Sequence, residues 1–122
     1  MISSESIKKK ALELGFQKVG IAKAEATPNE KADLETWLKQ GHHATMEWIV
    51  KRKNERSDIH TYFPAAKSVI SVGLNYQIGK GQNDISSDYK LSNYAWGEDY
   101  HDVIKKRLFQ LLGWMKETLP DL

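Results

Sequence analysis

A chain of 122 residues is long enough for one small domain, and at 40% hydrophobic, with four Trp, five Tyr and three Phe, it carries the apolar mass of a folded core. Its 18 basic and 16 acidic residues leave a formal net charge of +2, a near-balance that does not by itself point to nucleic acid. The absence of Cys excludes disulfides, thiolate catalysis and cysteine-held iron–sulfur clusters within this stretch. The N-terminal Met1-Ile2-Ser3-Ser4-Glu5-Ser6 lacks the apolar centre of a signal peptide, and no apolar run approaches the roughly 20 residues that span a bilayer.

Ser3 or Ser4 is placed to cap a first helix, with Glu5 in its first turn where the dipole favours an acid. Ile7, Ala11 and Leu14 share one face, and Gly15 is a natural stop. Phe16 to Ala22 reads as a short strand. Thr27-Pro28-Asn29-Glu30 has the form of a capping box with Pro at the first helical position, so a helix is expected to start there. Leu34, Trp37 and Leu38 form its stripe and Gly41 ends it, followed by a turn over 42–44. Met46 to about Glu55 predicts another helix with Met46, Ile49 and Val50 inward, and Phe63-Pro64 an extended connection.

Lys67 to Tyr76 alternates as a strand, with Ile70, Val72, Leu74 and Tyr76 on one face and the smaller Val69, Ser71, Gly73 and Asn75 on the other. A face of small residues lets a helix or a ligand come close. The Gly-, Asp- and Ser-rich stretch from Gln77 to Lys90 reads as a long loop. Asp99 is placed to cap a final helix whose stripe is Ile104, Leu108, Leu111, Leu112, Met115 and Leu119, ended by Pro120. The fold class expected is α/β (α+β), a small mixed sheet flanked by helices. Two strands do not make a stable sheet alone, so a partner strand is missing from this reading or lies outside the chain. The chain ends two residues after a helix-ending Pro, which suggests a fragment of a larger protein.

The segment Leu91 to His101 is the densest in chemistry: three aromatics, a His, a turn glycine and two acids stand directly before an amphipathic helix. Large rigid side chains at such a junction suggest a surface that holds something flat. His42, His43, His60 and His101 show no metal-ligand spacing, so no protein-held metal is expected. Ordinarily a His in a first helical turn faces solvent or assists the cap, but the aromatic neighbours of His101 make it a ligand-contact candidate. Lys51-Arg52-Lys53 with Arg56 is either a solvated helix face or an anion site. Arg56 precedes Ser57-Asp58 in an apparent turn that would hold it in place. Gly73, Gly79 and Gly81 have the wrong spacing for a phosphate loop.

An ordered set of segments carries a resemblance. It runs through Leu14-Gly15-Phe16, Val19-Gly20-Ile21-Ala22, and Trp37-Leu38-Lys39-Gln40-Gly41-His42-His43-Ala44-Thr45-Met46-Glu47-Trp48. It continues through Arg56-Ser57-Asp58, Phe63-Pro64-Ala65-Ala66-Lys67-Ser68-Val69-Ile70, Leu74-Asn75-Tyr76 and Ser92-Asn93-Tyr94-Ala95-Trp96-Gly97-Glu98-Asp99-Tyr100-His101. In this order they resemble the N-terminal domain of the epoxyqueuosine reductase family, over nearly the whole chain. The Tyr-Ala-Trp-Gly-x-Asp-Tyr-His piece is the most specific.

The resemblance implies an oxidoreductase of queuosine biosynthesis that uses cobalamin and 4Fe-4S iron–sulfur clusters to reduce epoxyqueuosine in tRNA to queuosine. Residues 1–122 would be its cobalamin-binding-type domain, with the ferredoxin-like, metal-binding iron–sulfur part C-terminal and absent here. The partners implied are tRNA and that C-terminal part of the same chain, in a cytoplasmic monomer without a membrane. The family's proton-donating Asp sits in a Val-Asp-Thr/Ser-Gly-type motif after the long helix; it is expected beyond Leu122, and Asp121 does not replace it. Catalytic residues are therefore expected to be none in this chain. Arg56 matches a family Arg that contacts cobalamin, and Ser92 a position where the main chain approaches it. Tyr94, Trp96, Tyr100 and His101, with Tyr76, would supply the walls. Asn93 stands where the family commonly has Arg, which weakens any anion contact there. The alternatives are a non-enzymatic RNA-binding module using the Lys51–Arg56 cluster, or another corrinoid-binding module.

Overall fold

The computed structural model describes residues 2–77 and 92–119; the expected loop over 78–90, Leu91 and the helix-ending Pro120 lie outside them. Helix α1 (Ser4–Glu13) leads into strand β1 (Lys18–Lys23), which is followed by α2 (Pro28–Lys39), α3 (Glu47–Lys51), α4 (Lys53–Ser57) and α5 (Ile59–Tyr62). Strand β2 (Ser68–Gly73), a 3-10 turn over Asn93–Ala95 and helix α6 (Tyr100–Thr118) complete the order. The two strands pair antiparallel, with Gln17 N–H donating to the Gly73 carbonyl at one end and Ala24 N–H to the Lys67 carbonyl at the other, each at 3.0 Å. The expected α+β class is what forms. The chain divides into two units, Met1–Gly20 with Ile70–Leu122, and Ile21–Val69.

In the first unit, Ser3 caps α1. Its Oγ accepts the Ser6 N–H at 3.1 Å while Ser6 Oγ accepts the Ser3 N–H at 3.0 Å, a reciprocal box with Ser where Glu or Gln is usual. Gly15 stops the helix at φ +96°, a conformation that calls for glycine, and a Cβ there would stand 3.0 Å from the end of the Arg107 side chain, which would have to shift. The turn delivers Phe16 inward one residue pair before β1 begins, and its N–H returns to the Ala11 carbonyl at 3.2 Å. Ala11, Phe16 and Leu111 form the buried core, with Val19, Val72, Leu74, Ile104, Trp114 and Met115 packed around it. Burying a Phe of this kind contributes about 1.5–3 kcal/mol. The α6 stripe is only partly used: Leu111 is buried, whereas Leu108 and Leu112 are exposed. β2 stops at Gly73, short of the expected Tyr76. The small face at Gly73 admits the neighbouring strand, since a Cβ there would meet Lys18 Cβ at 3.2 Å.

In the second unit two expectations change. Thr27 precedes α2 but does not cap it; its N–H and Oγ1 both donate to the Ser57 carbonyl, at 2.8 and 3.2 Å. The hydroxyl is engaged in a tertiary tie and is not free for the helix. The single helix expected from Met46 to Glu55 is two short helices broken at Arg52 (φ −113°, ψ 21°), and Met46 is exposed. The break lets Ser57 turn inward, where its Oγ donates to the Lys53 and Asn54 carbonyls. Asp58 then caps α5, accepting the His60 N–H at 2.9 Å. Gly41 ends α2 at φ +73°, as its position predicts.

Candidate functional site

An open cleft in the first unit is built from three separated stretches. Its floor is polar and tied down: Arg107 Nη1 donates to the Gly15 carbonyl at 2.8 Å, and Asn75 N–H donates to Gln17 Oε1 at 2.8 Å just beyond β2. Its far wall comes from the 3-10 turn. The Ser92 carbonyl accepts Ala95 N–H at 3.0 Å and the Asn93 carbonyl accepts Trp96 N–H at 3.1 Å, then Gly97 reverses the chain at φ +85°. Only glycine takes that φ without strain, and the reversal starts α6 at once. The result places Tyr76, Tyr94, Trp96 and Tyr100 along one cleft of about 510 Å³, with Leu74, Val103 and Arg107. Tyr94 and Tyr100 meet edge to face, centroids 6.1 Å apart at 73°, a preferred aromatic geometry.

The same Tyr94–Tyr100 pair borders a second recess of about 470 Å³ that also holds Asp99 and His101. Asp99 Oδ1 accepts the His101 backbone N–H at 2.9 Å and pairs with the His101 Nδ1 at 2.8 Å. These bonds, the backbone one first, hold the Asp99 carboxyl below its ordinary value. With Asp99 ionised, the pairing calls for the proton on Nδ1. The His101 ring also stacks on Tyr100, centroids 4.0 Å apart at 27°. Asp99 is thus an anion at neutral pH, able to cap and orient but not to donate a proton.

Of the predicted site residues, Tyr94, Trp96 and Tyr100 come together with Tyr76, and His101 lies on the adjoining recess. Ser92 is exposed ahead of the turn, its carbonyl engaged by Ala95. Arg56 belongs to the second unit, in the last turn of α4, with its guanidinium carbon 5.0 Å from the centre of the Trp48 ring. His60 is structural, its Nε2 3.1 Å from the Ala66 carbonyl. Gln17 and Arg107 escaped the sequence reading. Arg107 had a signal: it falls between Ile104 and Leu111 on the apolar side of α6, where a charge needs a partner. Among the described residues no group of three His, Asp or Glu is placed to hold a metal, and no helix is long and apolar enough to cross a membrane.

Comparison with known proteins bears on the same segments. Residues 56–122, more than half of the chain, match the family model described as epoxyqueuosine reductase QueG, DUF1730. The chain is 38% identical over 121 residues to an epoxyqueuosine reductase of Prochlorococcus marinus (strain NATL2A), covering 97% of this chain and 38% of that one. It is 40% identical over 119 residues to one from Cellulophaga algicola, covering 98% and 38%. The chain therefore spans just over a third of the length of the curated relatives it matches. Among solved structures, that of epoxyqueuosine reductase from Streptococcus thermophilus matches with a TM-score of 0.78 at 22% identity, over 99% of this chain and 33% of the other, which is a likeness of fold.

Proposed function

This chain belongs to the epoxyqueuosine reductase family, and on that premise we propose that it is the N-terminal part of a cytoplasmic oxidoreductase that reduces epoxyqueuosine in tRNA to queuosine. Residues 1–122 form the cobalamin-binding-type part, and an iron–sulfur part of the same protein follows. The observation that carries this reading is the convergence of Tyr76, Tyr94, Trp96 and Tyr100 on one cleft. A corrin is a wide disc with amide arms, and it calls for flat apolar walls beside fixed polar groups.

The residues present fit such a group as one wall. The aromatic rings supply the flat surface, two of them packed edge to face, and the Gln17, Asn75 and Arg107 network beside them offers donors and acceptors for amide arms. Ser92 offers main-chain groups and His101 a ring beside the pair; Arg56, in the second unit, is assigned to the phosphate on the family resemblance, as a cation. When bound, the cofactor would supply a reduced metal that passes electrons to the epoxide. The residues of this chain bind, orient and exclude water; none is assigned to protonate the departing oxygen, and Asp99, held ionised by His101, is unsuited to that task. The acid and the clusters belong to the remaining length of the protein.

The test uses the intact protein. Anaerobic loading with cobalamin and gel filtration should leave its visible absorbance with the protein, and Trp96→Ala and Arg56→Ala should each lower the retained fraction several-fold. Conversion of epoxyqueuosine tRNA is followed by mass spectrometry of digested nucleosides. A wild-type protein that stays colourless and leaves the epoxide intact would overturn the reading. Retention unchanged in Arg56→Ala alone would remove Arg56 from the site.

A further inference from the structure

The second unit carries a surface that the cleft does not use. Trp48 is 55% exposed on α3, and the Arg56 guanidinium carbon lies over its ring, 5.0 Å from the centroid. Lys51 and Arg52, three and four residues on from Trp48, fall within one helical turn of it and are exposed. Between 51 and 56 stand four cations and one acid, Glu55, which pairs with Arg52 at 3.4 Å; of the acids on either side, Glu47 leans toward His43 Nε2 at 3.9 Å and Asp58 accepts the His60 N–H at 2.9 Å. The near-neutral total charge conceals this local excess.

A flat, exposed indole next to guanidinium and ammonium groups has the chemistry of a single-stranded RNA contact. Bases stack on aromatic faces and on Arg planes whatever their identity, while neighbouring cations neutralise the phosphates on either side. An acidic protein would use the cations but has no need of the exposed ring. We propose that Trp48, Lys51 and Arg52 form a docking surface for an unpaired stretch of RNA, with one base on Trp48 and the adjoining phosphates on Lys51 and Arg52. This deepens the reading above by giving its RNA substrate a surface on this chain, made of residues other than those that line the cleft.

The experiment is fluorescence-anisotropy binding of a labelled anticodon stem-loop RNA to the intact protein at several salt concentrations. Trp48→Ala should weaken binding about 5- to 100-fold with the salt slope unchanged, and Trp48→Phe should recover most of the loss. The Lys51→Ala, Arg52→Ala double variant should flatten the slope of log affinity against log salt by about 1.4, two single-strand phosphate contacts. Circular dichroism of each variant checks folding. Wild-type affinity and slope in all three variants would overturn the proposal, as would polyglutamate competing as well as RNA of equal charge. The two readings fail separately: an intact protein that converts epoxyqueuosine while these variants bind RNA normally loses the docking surface and keeps the reductase. One that cannot take up cobalamin, yet loses RNA binding on Trp48→Ala, does the reverse.

Discussion

The first unit is organised around apolar side chains and the second around hydrogen bonds. In the first, Ala11, Phe16 and Leu111 are buried against one another, and partly buried residues from both helices and both strand ends pack around them. In the second, the buried side chains among the described residues are Ala24 and Ser57, and it is the Ser57 carbonyl that receives both donors of Thr27. Its large aromatics Trp48, Tyr62 and Phe63 are exposed. Apolar packing is strong but weakly directional, so it makes a stiff base on which a cleft wall can be held. A few hydrogen bonds contribute less but fix direction, and they leave a unit's rings free for something outside it. The chemistry follows the same division: the cleft is in the unit with the core, and the exposed cationic surface is in the unit without one.

The largest expected effect tests that division directly. Phe16→Ala should cost about 3–5 kcal/mol, read from the urea midpoint, because it empties the centre of the only apolar core among the described residues. Hydrogen exchange sharpens the comparison: the Gln17 amide should lose protection while the Thr27 amide keeps it. Equal loss at both would mean the two units open as one, and the contrast would fall. Ser57→Ala should cost only about 1 kcal/mol, since the Oγ bonds to Lys53 and Asn54 vanish while the carbonyl still accepts Thr27. A loss as large as that of Phe16→Ala would show that the second unit depends on one hydroxyl as much as the first depends on its core.

The smallest effect concerns Asp99, at the edge of the cleft. Its carboxyl titrates below the usual value of about 3.9, so the stability it contributes is complete above roughly pH 4 and is lost as pH falls through the lower folded value. The melting temperature of Asp99→Ala should therefore lie below wild type at pH 6, and the gap should close as the pH is lowered through the titration of the carboxyl. A gap independent of pH would mean that the charge on Asp99 has no part in the cap.

Much of this molecule is written in local signals. The Ser3 and Asp99 caps, the glycine stops at Gly15 and Gly41, the α6 stripe through Ile104 and Leu111, and the aromatic cluster from Tyr94 to Tyr100 all depend on neighbours within about one helical turn. Interactions at that range are visible in sequence order, because covalent connection already brings the partners together. What tertiary structure alone decided involves partners far apart along the chain. Thr27 abandons its cap for Ser57 thirty residues on, Gln17 meets Asn75 across a separation of 58, and Arg107 crosses 92 residues to the Gly15 carbonyl. The pairing of Arg56 with Trp48, the break at Arg52 and the short α5 also depend on how the helices of the second unit pack. The residue types of the cleft were therefore legible in the sequence, whereas its floor was not, since a polar side chain shows its need for a partner but not which distant carbonyl the fold will bring to it.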